Sequence, residues 1–375
     1  MVARLLAALA LLTLVAVAAW WPWVVAQSRA VAVLASVLDV PVLEDVVGAV
    51  TREPRVEEGA ELAGTPTSIF RPGGDGPWPA VLFITGADEA GRRHPDVVRM
   101  GRGLARAGFL VFVPDLPGMR DGRIGDETID AGHSVTAQAA TMPEVKDGRI
   151  ALASVSAGAS LALVIASDAE TRSHVAVVAG IAPFADVRTV MEIATTGQFR
   201  HGSGRVERFA SSTWMRTAMA RSLFAATTGT AAAETVEARV LAAADPMAAA
   251  RRLSPGEVRA HDPSGVLALL RATTADQFDM RYPAMPEQVR DDMDRLSPLR
   301  VARDLDVPIE LASAPDDKYF PLSESRRLVA VAPSARLTVT TTLEHAIPSA
   351  SLADIGDLAA FDAYVVRVLR IAADG

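Results

Sequence analysis

The chain has 375 residues, half of them hydrophobic, and a formal net charge of −8. That length suffices for one large domain or two moderate ones. The acid excess, with arginines scattered among carboxylates and no dense basic run, speaks against nucleic acid as a partner, because phosphate binding needs clustered Lys and Arg. There is no cysteine, which excludes disulfides, thiolate metal sites and cysteine nucleophiles but does not fix a compartment.

From Leu5 to Ala26 the sequence carries no charge, and only Thr13 and Pro22 interrupt its apolar character. A helix of about 20 such residues crosses the hydrocarbon core of a bilayer. Arg4 and the free amine favour a cytoplasmic start, and Trp20, Trp21 and Trp23 suit the far interface. Residues 1–29 are therefore expected to tether the protein to a membrane, with the rest extracytoplasmic. The competing reading is a secretory signal with Val24 and Ala26 as the small residues before the cut, and a third is a buried soluble helix. Residues 30–54 continue as an amphipathic stretch, with Val33, Leu34, Val37 and Leu38 at helical spacing. This stretch is expected to pack on the catalytic domain. Lying on a membrane surface is the alternative, for which it lacks a Lys/Arg face.

From Arg55 strands and helices alternate. Pro79–Ile84 is a short continuous apolar run, as in a strand buried on both faces. Pro95–Ala107 predicts a helix ended by Gly108, and Phe109–Val113 the next buried strand, followed by turn residues Pro114, Asp115, Pro117 and Gly118. Asp126–Ala140 is helical, Arg149–Ala153 a strand, Ala157–Ser167 a small-residue helix and Val175–Ile181 another strand. Such alternation needs crossover connections, hence a mostly parallel sheet with helices on both faces. Residues 187–296 break the pattern, being rich in Ala, Arg and Met at helical spacing, and are expected to form a helical cap inserted between 55–186 and 297–375. Strand and helix signals resume at Val307–Ala312, Ser323–Val331, Ala335–Thr340 and Leu352–Ile371.

The segment Arg149–Ser160 reads RIALASVSAGAS. A strand runs into Ser154-Val155-Ser156-Ala157-Gly158, and a helix follows at once. A turn this tight needs small neighbours, which Ser154, Ala157, Gly158 and Ala159 supply, and it would lift the Ser156 hydroxyl over the carboxyl end of the sheet. The amide of Ala157, at the helix N-terminus, would face an oxyanion.

On these residues the chain, from about Arg55 to its end, resembles the α/β-hydrolase superfamily, near the serine esterases, lipases and dienelactone hydrolases. The family pattern is G-x-S-x-G, and here Ser154 stands at the first glycine. The resemblance implies a nucleophile, then an acid, then a base in chain order. Of six histidines only His345 follows the acidic candidates, just after the last expected strand, so it is the expected base. The acid loop is ASAPDDKYFPLS, residues 312–323, and its family register points to Asp317. Asp316, one residue off, and Asp186, after the preceding strand, are alternatives. A second oxyanion donor is expected from Thr85-Gly86-Ala87-Asp88, the amide of Ala87, with Thr85 where the family often has His.

The resemblance implies hydrolysis of a carboxylic ester through an acyl-serine. The rivals are a serine peptidase of the same fold and a catalytically inactive, membrane-tethered binding protein. The expected partners are a small, partly hydrophobic ester and a membrane. No cofactor or metal is expected: there is no phosphate loop, no His-Glu-x-x-His, and Gly101-Arg102-Gly103 precedes a strand instead of following one. An apolar stripe in the insertion (Met191, Trp214, Met215, Met219, Leu223, Phe224) is expected to be mainly its own core, with substrate lining as the alternative.

Overall fold

The computed structural model describes residues 21–38, 41–227, 231–345, 347–348 and 355–374. It opens with helix α1, residues 21–37, and α2 (Pro41–Val50). An antiparallel pair follows, β1 (Arg55–Leu62) and β2 (Thr65–Arg71). Then come β3 (Trp78–Ile84), α3 (Pro95–Arg106), β4 (Leu110–Pro114), α4 (Asp126–Ala140), β5 (Val145–Val155), α5 (Ala157–Ile165), α6 (Ala169–Ser173) and β6 (Val175–Ile181). The insertion holds α7 (Val187–Thr196), a short hairpin β7 (Gln198–Arg200) and β8 (Val206–Arg208), then α8 (Thr213–Ala225), α9 (Ala231–Leu241), α10 (Pro246–Arg252), α11 (Pro255–His261), α12 (Val266–Leu270), α13 (Ala275–Arg281) and α14 (Glu287–Asp294). The chain closes with β9 (Ile309–Ser313), α15 (Leu322–Val331), β10 (Ala335–Val339), the two-residue strands β11 (Leu343–Glu344) and β12 (Ile347–Pro348), and α16 (Ile355–Asp374).

Among the described residues the main sheet has eight strands in the order β1-β2-β4-β3-β5-β6-β9-β10. From β4 to β10 every neighbour pair is parallel, and β2 runs antiparallel to β4. The mostly parallel sheet with an inserted cap is as the sequence implies. The insertion is not wholly helical, since β7 and β8 form a small hairpin within it. The β1–β2 pair also escapes a pattern search, because β1 lies at the sheet edge and exposes most of its residues. Glu57, Glu58 and Glu61 on that edge discourage pairing with another chain.

The strands alternate their side chains between two apolar layers, as a period of two requires. Leu82 of β3, Phe112 of β4 and Leu152 of β5 face α4, α5 and the cap. Val81 and Phe83, Val111 and Val177 face a second layer made by α1, α3 and α16. In α1 Ala26, Ala30, Val33 and Val37 recur every three to four residues, placing them on one face. The first three are buried. Gln27 Nε2 donates to both carboxylate oxygens of Asp362 on α16, at 2.9 Å each, and the Arg29 guanidinium lies 5.2 Å from the Phe109 ring centroid. The amphipathic stretch thus packs on the α/β body, and its helix begins earlier than the sequence suggests. Residues 21–26, the end of the uncharged run, belong to it, whereas residues 5–20 lie outside the described residues. Among the described residues no helix is long and apolar enough to cross a membrane.

The approach of α1 to α3 depends on a missing side chain. A Cβ at Gly103 would stand 2.9 Å from Ser36 Cβ, well inside van der Waals contact. Gly103→Ala is therefore expected to destabilise the protein by about 1–3 kcal/mol despite alanine's better helix propensity. In a Ser36→Gly background the same change should cost less, with a coupling of at least about 0.5 kcal/mol. Denaturant unfolding of the four proteins reads this directly, and simple additivity would show that the two residues do not meet.

Candidate active site

β5 ends at Val155, and α5 starts at Ala157. The single residue between them, Ser156, has φ 56° and ψ −131°, a backbone conformation costly for any residue with a Cβ. Two main-chain bonds hold it there: Ser156 N–H donates to Ile181 O at 2.8 Å, and Ala159 N–H donates to Ser156 O at 2.9 Å. Gly158 is required by space, since a Cβ there would fall 2.2 Å from the Thr85 carbonyl oxygen. Ser154, in place of the expected first glycine, is accommodated. Its hydroxyl donates to Ala179 O at 3.1 Å, and its partner across the strand pair is Gly180. A Cβ on Gly180 would press within 3.2 Å of Ala159 Cβ on α5. The two adjacent positions beneath the first turn of α5 thus hold one small side chain and none.

The Ser156 hydroxyl lies 2.9 Å from His345 Nε2. His345 Nδ1 lies 2.8 Å from Asp317 Oδ2 and 3.0 Å from Oδ1. A carboxylate can only accept, so Nδ1 carries the proton and Nε2 is left to accept from the serine. The Asp317 side chain is almost wholly buried, and its Oδ1 also accepts from Tyr319 N–H at 2.7 Å and Phe320 N–H at 2.9 Å. Of the two alternatives for the acid, Asp316 is exposed to solvent. Asp186 caps α7 through Arg188 N–H at 3.0 Å and pairs with Arg327 at 3.1 Å. His345 itself has φ 59°. Its ring is fixed by Tyr319, centroid to centroid 4.3 Å, and by the edge of Phe320 at 5.7 Å. Both rings lie within three residues after the acid in sequence (DDKYF), which is the signal by which they could have been found. Outside the site, Lys318 and Glu344 form an ion pair across the loops that carry Asp317 and His345.

This is the α/β-hydrolase fold.

No protein-family profile and no curated protein matches the chain. Among solved structures it is similar to 2,6-dihydroxy-pseudo-oxynicotine hydrolase, at 13% identity over 84% of this chain and 68% of that one, TM-score 0.45. It is also similar to Est1E from Butyrivibrio proteoclasticus, at 11% identity over 86% and 100%, TM-score 0.46. A third is Pyrococcus horikoshii acylaminoacyl peptidase, at 13% identity, TM-score 0.44, where 86% of this chain covers 40% of the other.

In this hydrolase fold the loop after β3 passes directly against the serine. A Cβ on Gly86 would lie 3.2 Å from Ser156 Cβ. Ala87, next along, borders the same cleft as Ser156, Ala157 and His345. Ala157 opens α5, whose first N–H groups have no partner within the helix. The two expected oxyanion donors therefore border one cleft with the serine. The cap holds the loop after β3, because Trp214 Nε1 donates to Ala87 O at 2.7 Å. A second anchor lies nearby, where Ser222 Oγ accepts from Ile124 N–H at 3.0 Å and donates to Gly122 O at 3.1 Å.

The cleft has a volume of about 430 Å³. The apolar stripe in the insertion divides: Trp214, Met215 and Met219 line the cleft, while Met191, Leu223 and Phe224 are buried in the apolar layer that the cap shares with the sheet. At its base Glu324 of α15 is buried and accepts from Ala185 and Asp186 N–H at 3.0 Å each, tying down the loop where the cap begins. Burial pushes its carboxyl up, opposed by the charge and hydrogen bond of Arg327. No group of three or more potential metal ligands occurs among the described residues.

The strand contacts separate two substitutions that look alike on paper. Gly158→Ala drives a Cβ into main chain that cannot yield, and should cost at least about 2 kcal/mol and most of the activity. Ser154→Gly, which restores the family pattern, loses one hydroxyl bond and should stay within about 1 kcal/mol of the parent. Thermal unfolding of both variants, with fluorophosphonate labelling of Ser156 as the measure of activity, checks the order. A Gly158→Ala protein as stable and active as the Ser154→Gly one would contradict this account of the elbow.

Proposed function

We propose that the protein is a serine hydrolase that cleaves carboxylic esters through an acyl-serine intermediate. One observation carries this: the unbroken hydrogen-bonded chain from Ser156 Oγ through His345 to Asp317, built on a strained elbow. A serine hydroxyl is a weak nucleophile until a base removes its proton. In the proposed reaction His345 Nε2 takes that proton as Oγ bonds to the carbonyl carbon, whose π electrons move to the oxygen. Asp317 holds the ring and balances the imidazolium charge. The amides of Ala157 and Ala87 donate to the oxyanion, each contributing about 3 kcal/mol to the transition state. His345 then gives its proton to the leaving alkoxide as the C–O bond breaks. Water repeats the sequence on the acyl-serine.

The apolar walls of the cleft support an ester with hydrophobic substituents. A second reading, cleavage of peptides with a free amine, draws on Asp88 and Asp96 at the edge of the same cleft. Asp96 is already paired with Arg99, which favours the ester. A membrane tether through the N-terminal segment of residues 1–29, holding the body extracytoplasmic, belongs to the same proposal. Carbonate washing of membranes from cells making the full chain tests it, since recovery of an uncut chain in the wash would refute it.

Ser156→Ala and His345→Ala should each lower p-nitrophenyl ester hydrolysis by about 10⁴-fold or more, because triad members act as a unit. Asp317→Asn should be roughly ten- to hundred-fold less damaging. A fluorophosphonate should label the parent and not Ser156→Ala. A parent that resists labelling and turns over neither esters nor aminoacyl p-nitroanilides would be the non-catalytic binding protein instead. Preference for the anilides would favour the peptidase.

A further inference from the structure

Behind the catalytic cleft lies a second cavity of about 70 Å³, lined by α1, α3, α16 and the sheet. Val33 and Leu34 of α1, Leu104 of α3, and Val365 and Leu369 of α16 are among its walls. Of the residues lining it only Ser154 and Tyr364 have a hydroxyl, and both hydroxyls are engaged on main-chain carbonyls of β6. Ser154 donates to Ala179 O at 3.1 Å and Tyr364 to Gly180 O at 3.5 Å. A space of this kind offers water no free partner and suits hydrocarbon.

The second cavity is not isolated. Val37, Phe83 and Met100 line both it and the catalytic cleft, so these three side chains form a shared partition. Val37, Leu38 and Met100 are only half-buried although they lie at the junction of α1 and α3, because they border the cleft. An unbranched thioether such as Met100 changes rotamer at little cost.

We propose that the small cavity is the far end of the substrate site. An unbranched alkyl chain on the ester enters from the cleft, passes Met100 and ends beneath α1. The substrate class is then a straight-chain aliphatic ester, with α1 as part of the binding wall. This rests on the serine-hydrolase reading above, and the experiment keeps the two apart.

Two substitutions move the space in opposite directions: Leu34→Trp fills the small cavity and Met100→Ala opens the partition. Both are assayed on p-nitrophenyl esters of increasing acyl length and on butyrate esters of increasing alcohol length. In one of the two series the ratio of long-chain to short-chain kcat/KM should fall about ten-fold or more in Leu34→Trp, the worth of roughly two buried methylene groups. It should rise in Met100→Ala, which adds no bulk and serves if the tryptophan variant does not fold. The series that responds identifies whether the chain belongs to the acid or the alcohol. A ratio unmoved in both series, in variants that melt like the parent, overturns the proposal. Binding of decanoate to Ser156→Ala, followed by displacement of a fluorescent fatty acid, needs no turnover. Decanoate should bind, and about ten-fold more weakly when Leu34→Trp is added. Absence of binding, or equal binding in the two proteins, counts against the chain site whether or not any ester is cleaved.

Discussion

The conformation of one residue organises this molecule. Ser156 sits where a side chain is disfavoured, at a cost of roughly 1–3 kcal/mol, and it stays there because neighbours leave no alternative. β6 takes its N–H, α5 takes its carbonyl, and the carbonyl of Thr85 lies against Gly158 on the far side. The reward is positional. With the backbone fixed, the hydroxyl is set by the sheet itself and not by a choice among rotamers. His345 also has a left-handed backbone, and its ring is held by Tyr319 and Phe320. Asp317 uses the opposite strategy, an ordinary loop in which the carboxylate organises its own turn by accepting two amides.

Much of this arrangement can be read from sequence, because buried parallel strands are written as continuous apolar runs. β3, β4 and β6 are all visible that way, and Ser156 is marked by the small residues around it. What escapes is whatever depends on contact between distant segments. β1 is an exposed edge strand with little apolar signal, and its place comes from pairing with β2. Asp316 and Asp317 are adjacent acids in one loop; the family register selects Asp317, but its burial is seen only in the folded chain. Trp214 looks like one more apolar residue of a helical insertion until its indole nitrogen is found on the carbonyl of Ala87, some 127 positions away.

The two faces of the sheet carry different burdens. One face supports α4, α5 and the cap, and the cap reaches the cleft through its bonds at Ala87 and Ile124. The other is closed by α1, α3 and α16. An alanine-rich N-terminal helix is easily mistaken for something separate from the catalytic body. Here its small side chains let it approach α3 at Gly103 closely enough to complete an apolar layer, and its last turn reaches the edge of the cleft. Fold stability and the shape of the site are coupled in that helix.

The pairing of Ser154 with Gly180 bears on how such proteins are recognised. A sequence motif is written along one strand, but the constraint beneath α5 is on volume and is shared between two. In this chain the elbow strand carries Ser154 and its register partner on β6 is Gly180, where a Cβ would stand 3.2 Å from both Ala159 Cβ and Leu311 Cδ2. A one-dimensional pattern records only the elbow strand. Searches for divergent members of this fold would gain from treating the position two before the serine and its register partner on the next strand as a single, jointly variable site.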